Sequence, residues 1–249
     1  MKGVIQHGCV LESTLESWVK PIVKDKRGNR EDSNNYRGIS LVNVWAKIMD
    51  NLILGKINGH YQTDECQFGF KKKLSSKMAV QVLVEMGHNY CKLGGNLICG
   101  FVDITKAFDR LQYKVVWDKL KKIGIGENIV RILREQYLKQ YRRVIWGELK
   151  SEFFMVDRGV RQGSPLSPIL FALVMDDVVQ KIKALKVGCV LKGKIVNIIV
   201  YADDIVVFGP TRHAITEILR VLSKELHEKG LEVNLEKNCS NGNKYRGKI

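Results

Sequence analysis

Two rhythms of apolar residues run along the chain, and each predicts its own kind of element. Val44, Ile48, Leu52 and Leu54 recur at helical spacing and predict a helix over residues 43–57. Ala79, Leu83 and Met86 do the same for residues 76–90, and further helices are expected over 127–138 and 214–229. Short β-branched and aromatic runs predict strands at 18–24, 36–41 and 96–103, then a hairpin from 142–147 and 151–156. The clearest run is 195–209, where two β-branched segments face each other across Asp203 and Asp204. Val, Ile, Tyr and Phe favour strands while Asp belongs in turns, so this run predicts a hairpin with two adjacent carboxylates at its tip. Nothing at the level of fold asks for two negative charges there. Their repulsion raises a pKa or draws in a cation, and a divalent metal is the usual answer.

Composition adds a partner. Apolar residues at 45% and charged residues at 27% are ordinary for a globular chain, and 249 residues can bury a sizeable core. Forty-one Lys and Arg against 26 Asp and Glu leave a formal charge of +15. That excess points to a polyanion, nucleic acid first and an anionic membrane surface second. Part of it sits on a basic hairpin with Lys24, Lys26, Arg27, Arg30 and Arg37. Strand-anchored cations suit a triphosphate or a nucleic-acid backbone, and equally a solvated loop. Six scattered cysteines with no C-x-x-C pair argue against zinc and against a disulfide framework, and read as reduced thiols of an intracellular protein. The longest apolar run, residues 168–175, is far short of a membrane span, and no secretory or lipidation signature appears.

Candidate chemistry gathers in a few places. Asp103 closes an otherwise apolar strand, where a lone carboxylate is expensive unless paired or metal-bound. Asp109 sits where an N-cap belongs, for a helix running to about Ile123. A glycine-rich loop over residues 157–168 feeds the next helix, with Ser164 as N-cap and Pro165 as first helical residue. Arg161 and Gln162 then stand at the positive end of a helix dipole, suited to phosphates or a sugar hydroxyl. Gln67-Phe-Gly-Phe70, followed by Lys71-Lys-Lys73, sets an aromatic pair beside a basic run, fit to stack on bases or simply to fill core. Asp203 follows Asp103 by 100 residues. Carboxylates on neighbouring strands can hold two Mg²⁺ about 3.5–4 Å apart, the clamp used for in-line phosphoryl displacement. With a basic surface, the chemistry implied is nucleotidyl transfer on a nucleic acid.

The order of these pieces resembles the reverse transcriptase domain of non-LTR (long interspersed element) retrotransposons. Six blocks carry the resemblance over nearly the whole chain. They are Pro21-Ile-Val-Lys24 with Asn35-Tyr-Arg-Gly-Ile-Ser-Leu41, Gln67-Phe-Gly-Phe-Lys71, and Phe101-Val-Asp-Ile-Thr-Lys-Ala-Phe-Asp109. Then come Gly159-Val-Arg-Gln-Gly-Ser-Pro-Leu-Ser-Pro168, Tyr201-Ala-Asp-Asp204, and Gly230-Leu-Glu-Val-Asn234 with Lys237. The resemblance implies an α+β right-hand polymerase, with fingers over residues 1–95 and a palm over 96–249. A fingers segment at about 120–157 interrupts the palm, whose antiparallel sheet is backed by helices, and the thumb is missing.

By the same resemblance the chain is an RNA-directed DNA polymerase, adding dNMP to a primer 3′-hydroxyl with two Mg²⁺, or Mn²⁺ in their place. Its partners are an RNA template, a DNA primer or target, and dNTPs, with no membrane and no zinc, and it works in the nucleus or cytoplasm. Asp103 and Asp203 match the carboxylates that hold both metals, with the backbone of Ile104 beside them and Asp204 in support. Phe108 matches the bulky residue that blocks a ribose 2′-hydroxyl, and Gln162 with Arg161 the loop residues along the incoming nucleotide. Lys24 and Arg37 match residues that grip the triphosphate, Lys237 a lysine that protonates the leaving pyrophosphate, and Gln67 and Gly69 a template contact. The block after Gln67 departs from the family's Arg and Gly-Arg-Ser-Thr pattern. Its Lys71-Lys-Lys-Leu-Ser-Ser-Lys77 keeps charge but loses the bidentate fork of Arg. Asn238 stands where Thr usually follows the lysine, and nothing resembles an endonuclease or a Cys-His knuckle. These departures leave a second reading, a catalytically inactive nucleic-acid-binding remnant. Phe108 weighs against a third, an RNA-directed RNA polymerase.

Overall fold

The computed structural model describes residue 10, residues 12–191 and residues 193–233. The chain divides into two compact units, each assembled from two separate stretches: Met1–Gln62 with Phe108–Leu173, and Thr63–Ala107 with Val174–Ile249. In the first unit β1 (Glu16–Val23) pairs antiparallel with β2 (Tyr36–Val42) and parallel with β4 (Tyr141–Trp146), and β5 (Leu149–Lys150) and β6 (Phe154–Met155) add to β4. Strand alternation sorts β1 as the sequence suggests. Ser17 turns inward, while Trp18, Lys20 and Ile22 turn outward, with Leu41 and Arg37 opposite Trp18 and Ile22 in β2. Helix α1 (Val44–His60) buries Ala46, Met49, Ile53 and Ile57 along one stripe, and Asn43 caps it by accepting the Trp45 N–H at 2.8 Å.

In the second unit β10 (Asp204–Gly209) lies between β3 (Ile98–Asp103) and β9 (Ile198–Tyr201), antiparallel to both. Helix α2 (Ser76–Lys92) packs Ala79 and Met86 against Ile199, Phe208 and Cys189. Beside them stand the hairpin of β7 (Cys189–Leu191) with β8 (Lys194–Val196), and helix α7 (Arg212–Glu228). Among the described residues no helix is long and apolar enough to cross a membrane, and Cys66, Cys99 and Cys189 are free thiols.

Three expectations change. The helix expected to run to about Ile123 is two, α3 (Ala107–Arg110) and α4 (Tyr113–Lys122), because the Leu111 carbonyl accepts the Gly159 N–H at 2.8 Å. Helix α5 (Glu127–Leu138) follows as expected. Helix α6 (Ser167–Ala184) starts after Pro165: the Ser164 hydroxyl donates to Asp50 at 2.5 Å and still accepts the Leu166 N–H at 3.2 Å as a capping residue would, and Pro168 falls in the first turn, where no N–H is needed. The run leading to the carboxylates splits at Asn197, whose buried amide donates to the carbonyls of Ile182 and Val187 at 2.7 and 2.9 Å.

Candidate active site

Tyr201 and Asp204 are register partners, which leaves Ala202 and Asp203 as a two-residue hairpin loop. A positive φ of 59° at Ala202, the first loop position, is the type II′ pattern, whose twist suits the flanking strands. An alanine held there costs roughly 1–2 kcal/mol relative to the right-handed region. On its other edge β10 pairs Asp204 with Asp103. Directly opposed residues bring their Cβ atoms to about 4.5–5.5 Å on one face, so β3 ends by delivering its carboxylate beside the turn. Asp103 and Asp203 are half-buried and Asp204 is exposed. Ile104 is buried and bridged to Val233, with the Thr105 N–H donating to the Glu232 carbonyl at 2.8 Å. Lys237 lies outside the described residues.

The paired carboxylates fit a magnesium ion by donor chemistry. Mg²⁺ takes hard oxygens, usually one or two protein carboxylates completed by water and phosphate oxygens. Among the described residues no group of three or more His, Cys, Asp or Glu side chains is drawn together around one point. Asp103 and Asp204 border a cleft of about 760 Å³ within this unit, lined by Cys99, Phe101, Val206 and the α2 residue Val80.

Gln67 and Gly69, expected at a template strand, lie against this turn. Residues 66–68 run parallel to β9, with the Val200 N–H donating to the Cys66 carbonyl at 2.9 Å and the Phe68 N–H to the Val200 carbonyl at 2.8 Å. Gln67 is fully buried, and its Oε1 accepts the Gly69 N–H at 3.2 Å. A Cβ on Gly69 would collide with the Ala202 amide nitrogen and stand 3.1 Å from the Ala202 Cα. The segment is anchored upstream by Asp64. Its N–H donates to Asp176 at 2.6 Å, its carboxylate pairs with Lys183 at 2.8 Å, and Lys71 donates to its carbonyl. Burial pushes the Asp64 carboxyl up, but the Cys66 N–H and the Lys183 ammonium outweigh it and hold the group below its ordinary value. Burial drives the Cys66 thiol up to about 12, so it is no nucleophile near neutral pH.

The expected nucleotide contacts all fall in the first unit. Gln162 donates from Nε2 to Asp109 at 2.8 Å, and its carbonyl accepts the Ser40 N–H at 2.6 Å. Asp109 is therefore an internal residue of α3 that holds Gln162, rather than the N-cap its position suggested. Gly163, at φ +119°, leaves no room for a side chain, since a Cβ would meet the Ser40 carbonyl oxygen at 2.6 Å. Phe108 stacks on Phe171 with centroids 4.8 Å apart, and its carbonyl accepts the Val160 N–H at 2.7 Å. Lys24 Nζ donates to the Asn34 carbonyl at 2.8 Å, and the exposed Arg37 stands on β2 opposite Ile22.

Arg161 is different. It is fully buried, lies 4.9 Å from the Tyr137 ring centroid, and its guanidinium nitrogens have no hydrogen-bond partner among the described residues. Its charge acts on Asp50, a fully buried acid of α1 that sequence reading missed. The signal was present, since Asp50 falls on the stripe of Ala46, Met49 and Ile53.

One unit brings carboxylates to a two-residue turn, and in the other a glycine-rich loop holds a glutamine through Asp109. A family model described as "Reverse transcriptase (RNA-dependent DNA polymerase)" matches residues 23–241, and the chain belongs to that family. It is 28% identical over 238 residues to the Retrovirus-related Pol polyprotein from type-2 retrotransposable element R2DM of Drosophila melanogaster, covering 94% of this chain and 22% of that protein. It is 25% identical over 182 residues to the RNA-directed DNA polymerase from mobile element jockey of Drosophila funebris, covering 71% of this chain and 19% of that protein. The chain thus spans about a fifth of these relatives, which bear out the resemblance to non-LTR elements. Its fold is that of telomerase from Candida tropicalis, solved with a fragment of telomeric RNA, at a TM-score of 0.65 and 16% identity over 90% of this chain and 40% of that one.

Proposed function

We propose that this chain is the RNA-directed DNA polymerase core of a non-LTR retrotransposon, adding dNMP to a primer 3′-hydroxyl on an RNA template. The observation that carries this reading is the register of β3 and β10, which sets Asp103 against Asp204 with Asp203 on the adjoining turn. Asp103 and Asp203 would hold the ions together with the Ile104 backbone, and Asp204 would support them. Two Mg²⁺, or Mn²⁺ in their place, would ease deprotonation of the attacking hydroxyl and release of pyrophosphate. Gln162 lies along the nucleotide with its amide fixed by Asp109, and Phe108, backed by Phe171, closes against a ribose 2′-hydroxyl. Lys24 and Arg37 grip the triphosphate, Arg161 supports the loop from inside, and Lys237 gives the pyrophosphate its proton. In this reading the fingers comprise residues 1–95 with a segment at about 120–157, and the palm takes the rest. RNA, a DNA primer or target and dNTPs account for the +15 charge, and the work is done in the nucleus or cytoplasm.

Primer extension on an RNA template with dNTPs and Mg²⁺ tests the proposal. The parent chain is expected to extend, and Asp203→Asn to lose activity on the order of 10²-fold or more. Equal extension by Asp203→Asn would sink the assigned mechanism. Salt-sensitive binding with no Mg²⁺-dependent extension by the parent would mark a non-catalytic remnant instead.

A further inference from the structure

We infer that Gly69, oriented by Gln67, is a positioning residue of the polymerase centre: it is the seat that sets where the turn of Ala202 and Asp203 stands. The inference rests on the reading of Asp203 as a metal-holding carboxylate. Three observations carry it. The atoms nearest a Cβ at position 69 are the Ala202 nitrogen, the Ala202 Cα and the Tyr201 carbonyl carbon, all backbone, so no flexible side chain can yield to a substituent. The seat itself is held on both sides, by the hydrogen bonds of Val200 and Phe68 along β9 and by the Gln67 side chain on the Gly69 N–H. Those bonds run back to a segment clamped by Asp64, Asp176 and Lys183. The turn, finally, has little freedom of its own, because Ala202 is an L-residue held at φ +59°.

A methyl group at position 69 must therefore push the backbone directly ahead of Asp203. A misplacement of about 1 Å in a reacting constellation costs on the order of 10²-fold in rate. The effect belongs to the chemical step, because the nucleotide-holding residues Gln162, Phe108, Lys24 and Arg37 all lie in the other unit.

The test uses the full 249-residue chain with Gly69→Ala, Gln67→Met and the double variant Gly69→Ala/Ala202→Gly. Three quantities are read: kcat and KM for dNTP in primer extension, template–primer Kd by fluorescence anisotropy, and amide hydrogen exchange. For Gly69→Ala, kcat is expected to fall about 10²-fold, while dNTP KM and template Kd stay within about twofold. Exchange should quicken at the Phe68 and Val200 amides and stay as in the parent along β1 and β2, which certifies that the variant is folded. Gln67→Met should follow the same pattern with a smaller loss. Glycine at position 202 lets the turn rotate away, so the double variant should recover about tenfold of the loss. A Gly69→Ala chain with kcat within about twofold of the parent, or with its whole loss in template Kd, overturns the seat. If the parent itself fails to extend, the polymerase reading fails, and the exchange data still decide. Unchanged protection at Phe68 and Val200 in Gly69→Ala then overturns the seat on its own.

Discussion

Asp50 is fully buried on α1, and its neighbours decide whether a carboxyl is tolerable there. Burial pushes its pKa up, against the Arg161 charge and the Ser164 hydroxyl, which pull it down. Removing the acid takes the acceptor from the Ser164 hydroxyl and the facing charge from the buried Arg161, so Asp50→Ala is expected to cost about 1–3 kcal/mol of unfolding free energy. Asp50→Asn keeps an acceptor for Ser164 and should cost less, and Asp50→Asn with Arg161→Met should recover most of the Asp50→Ala loss. Urea midpoints at constant m-value make the comparison. Equal losses in the single and double variants would show that the two charges do not depend on each other. At this scale the sequence displayed the reactive groups and hid what holds them. Gln162 was legible in its loop, but Asp109 looked like an N-cap, since nothing in a linear reading connects positions 53 residues apart.

Elements whose logic is local were legible. Helices α2, α5 and α7 follow from a 3.6-residue apolar stripe, and the β9–β10 hairpin from a two-residue turn between β-branched runs. Helix α1 is a helix as expected, but Val44, Ile48 and Leu52, which announced it, are exposed, and the buried stripe is Ala46, Met49, Ile53 and Ile57. The break between α3 and α4 and the split at Asn197 come from hydrogen bonds to partners outside each element, so no periodicity could announce them. The Asp64 clamp on α6 is of the same kind, and it has a pH signature. Because the folded Asp64 pKa lies below the ordinary 3.8, its contribution is full above that value and is lost as the pH falls through the folded pKa. Burial lowers the Lys183 pKa, but Asp64 more than compensates and raises it above the ordinary 10.5. Its contribution is therefore full below that value and fades as the pH rises through the folded pKa. Asp64→Asn should thus be less stable than the parent on a plateau near neutral pH, with the gap closing at both extremes. Urea midpoints across pH measure it, and a gap unchanged into strong acid would refute the clamp.

Across the whole molecule the charge of +15 sets how nucleic acid is met. A protein neutralising about six phosphates gives log K against log salt a slope of roughly −4 on single strands and −5 on duplex. Anisotropy titrations from low to moderate salt should find slopes of at least that steepness with RNA and with an RNA–DNA hybrid. A slope near zero would remove the basic surface from the account of binding.

The interleaving of the two units reaches beyond the finished fold, into synthesis. β3 is complete at residue 103, but its partner β10 begins at residue 204. At about 5–20 residues per second, a ribosome leaves that strand waiting on the order of 5–20 s. Neither unit is a continuous stretch, so neither can close before the other has been partly made. An apolar strand with open edges is a template for other strands in the meantime. The form of this chain most exposed to chaperones and proteases is thus the nascent one, with its palm strand made and its acidic turn not yet translated.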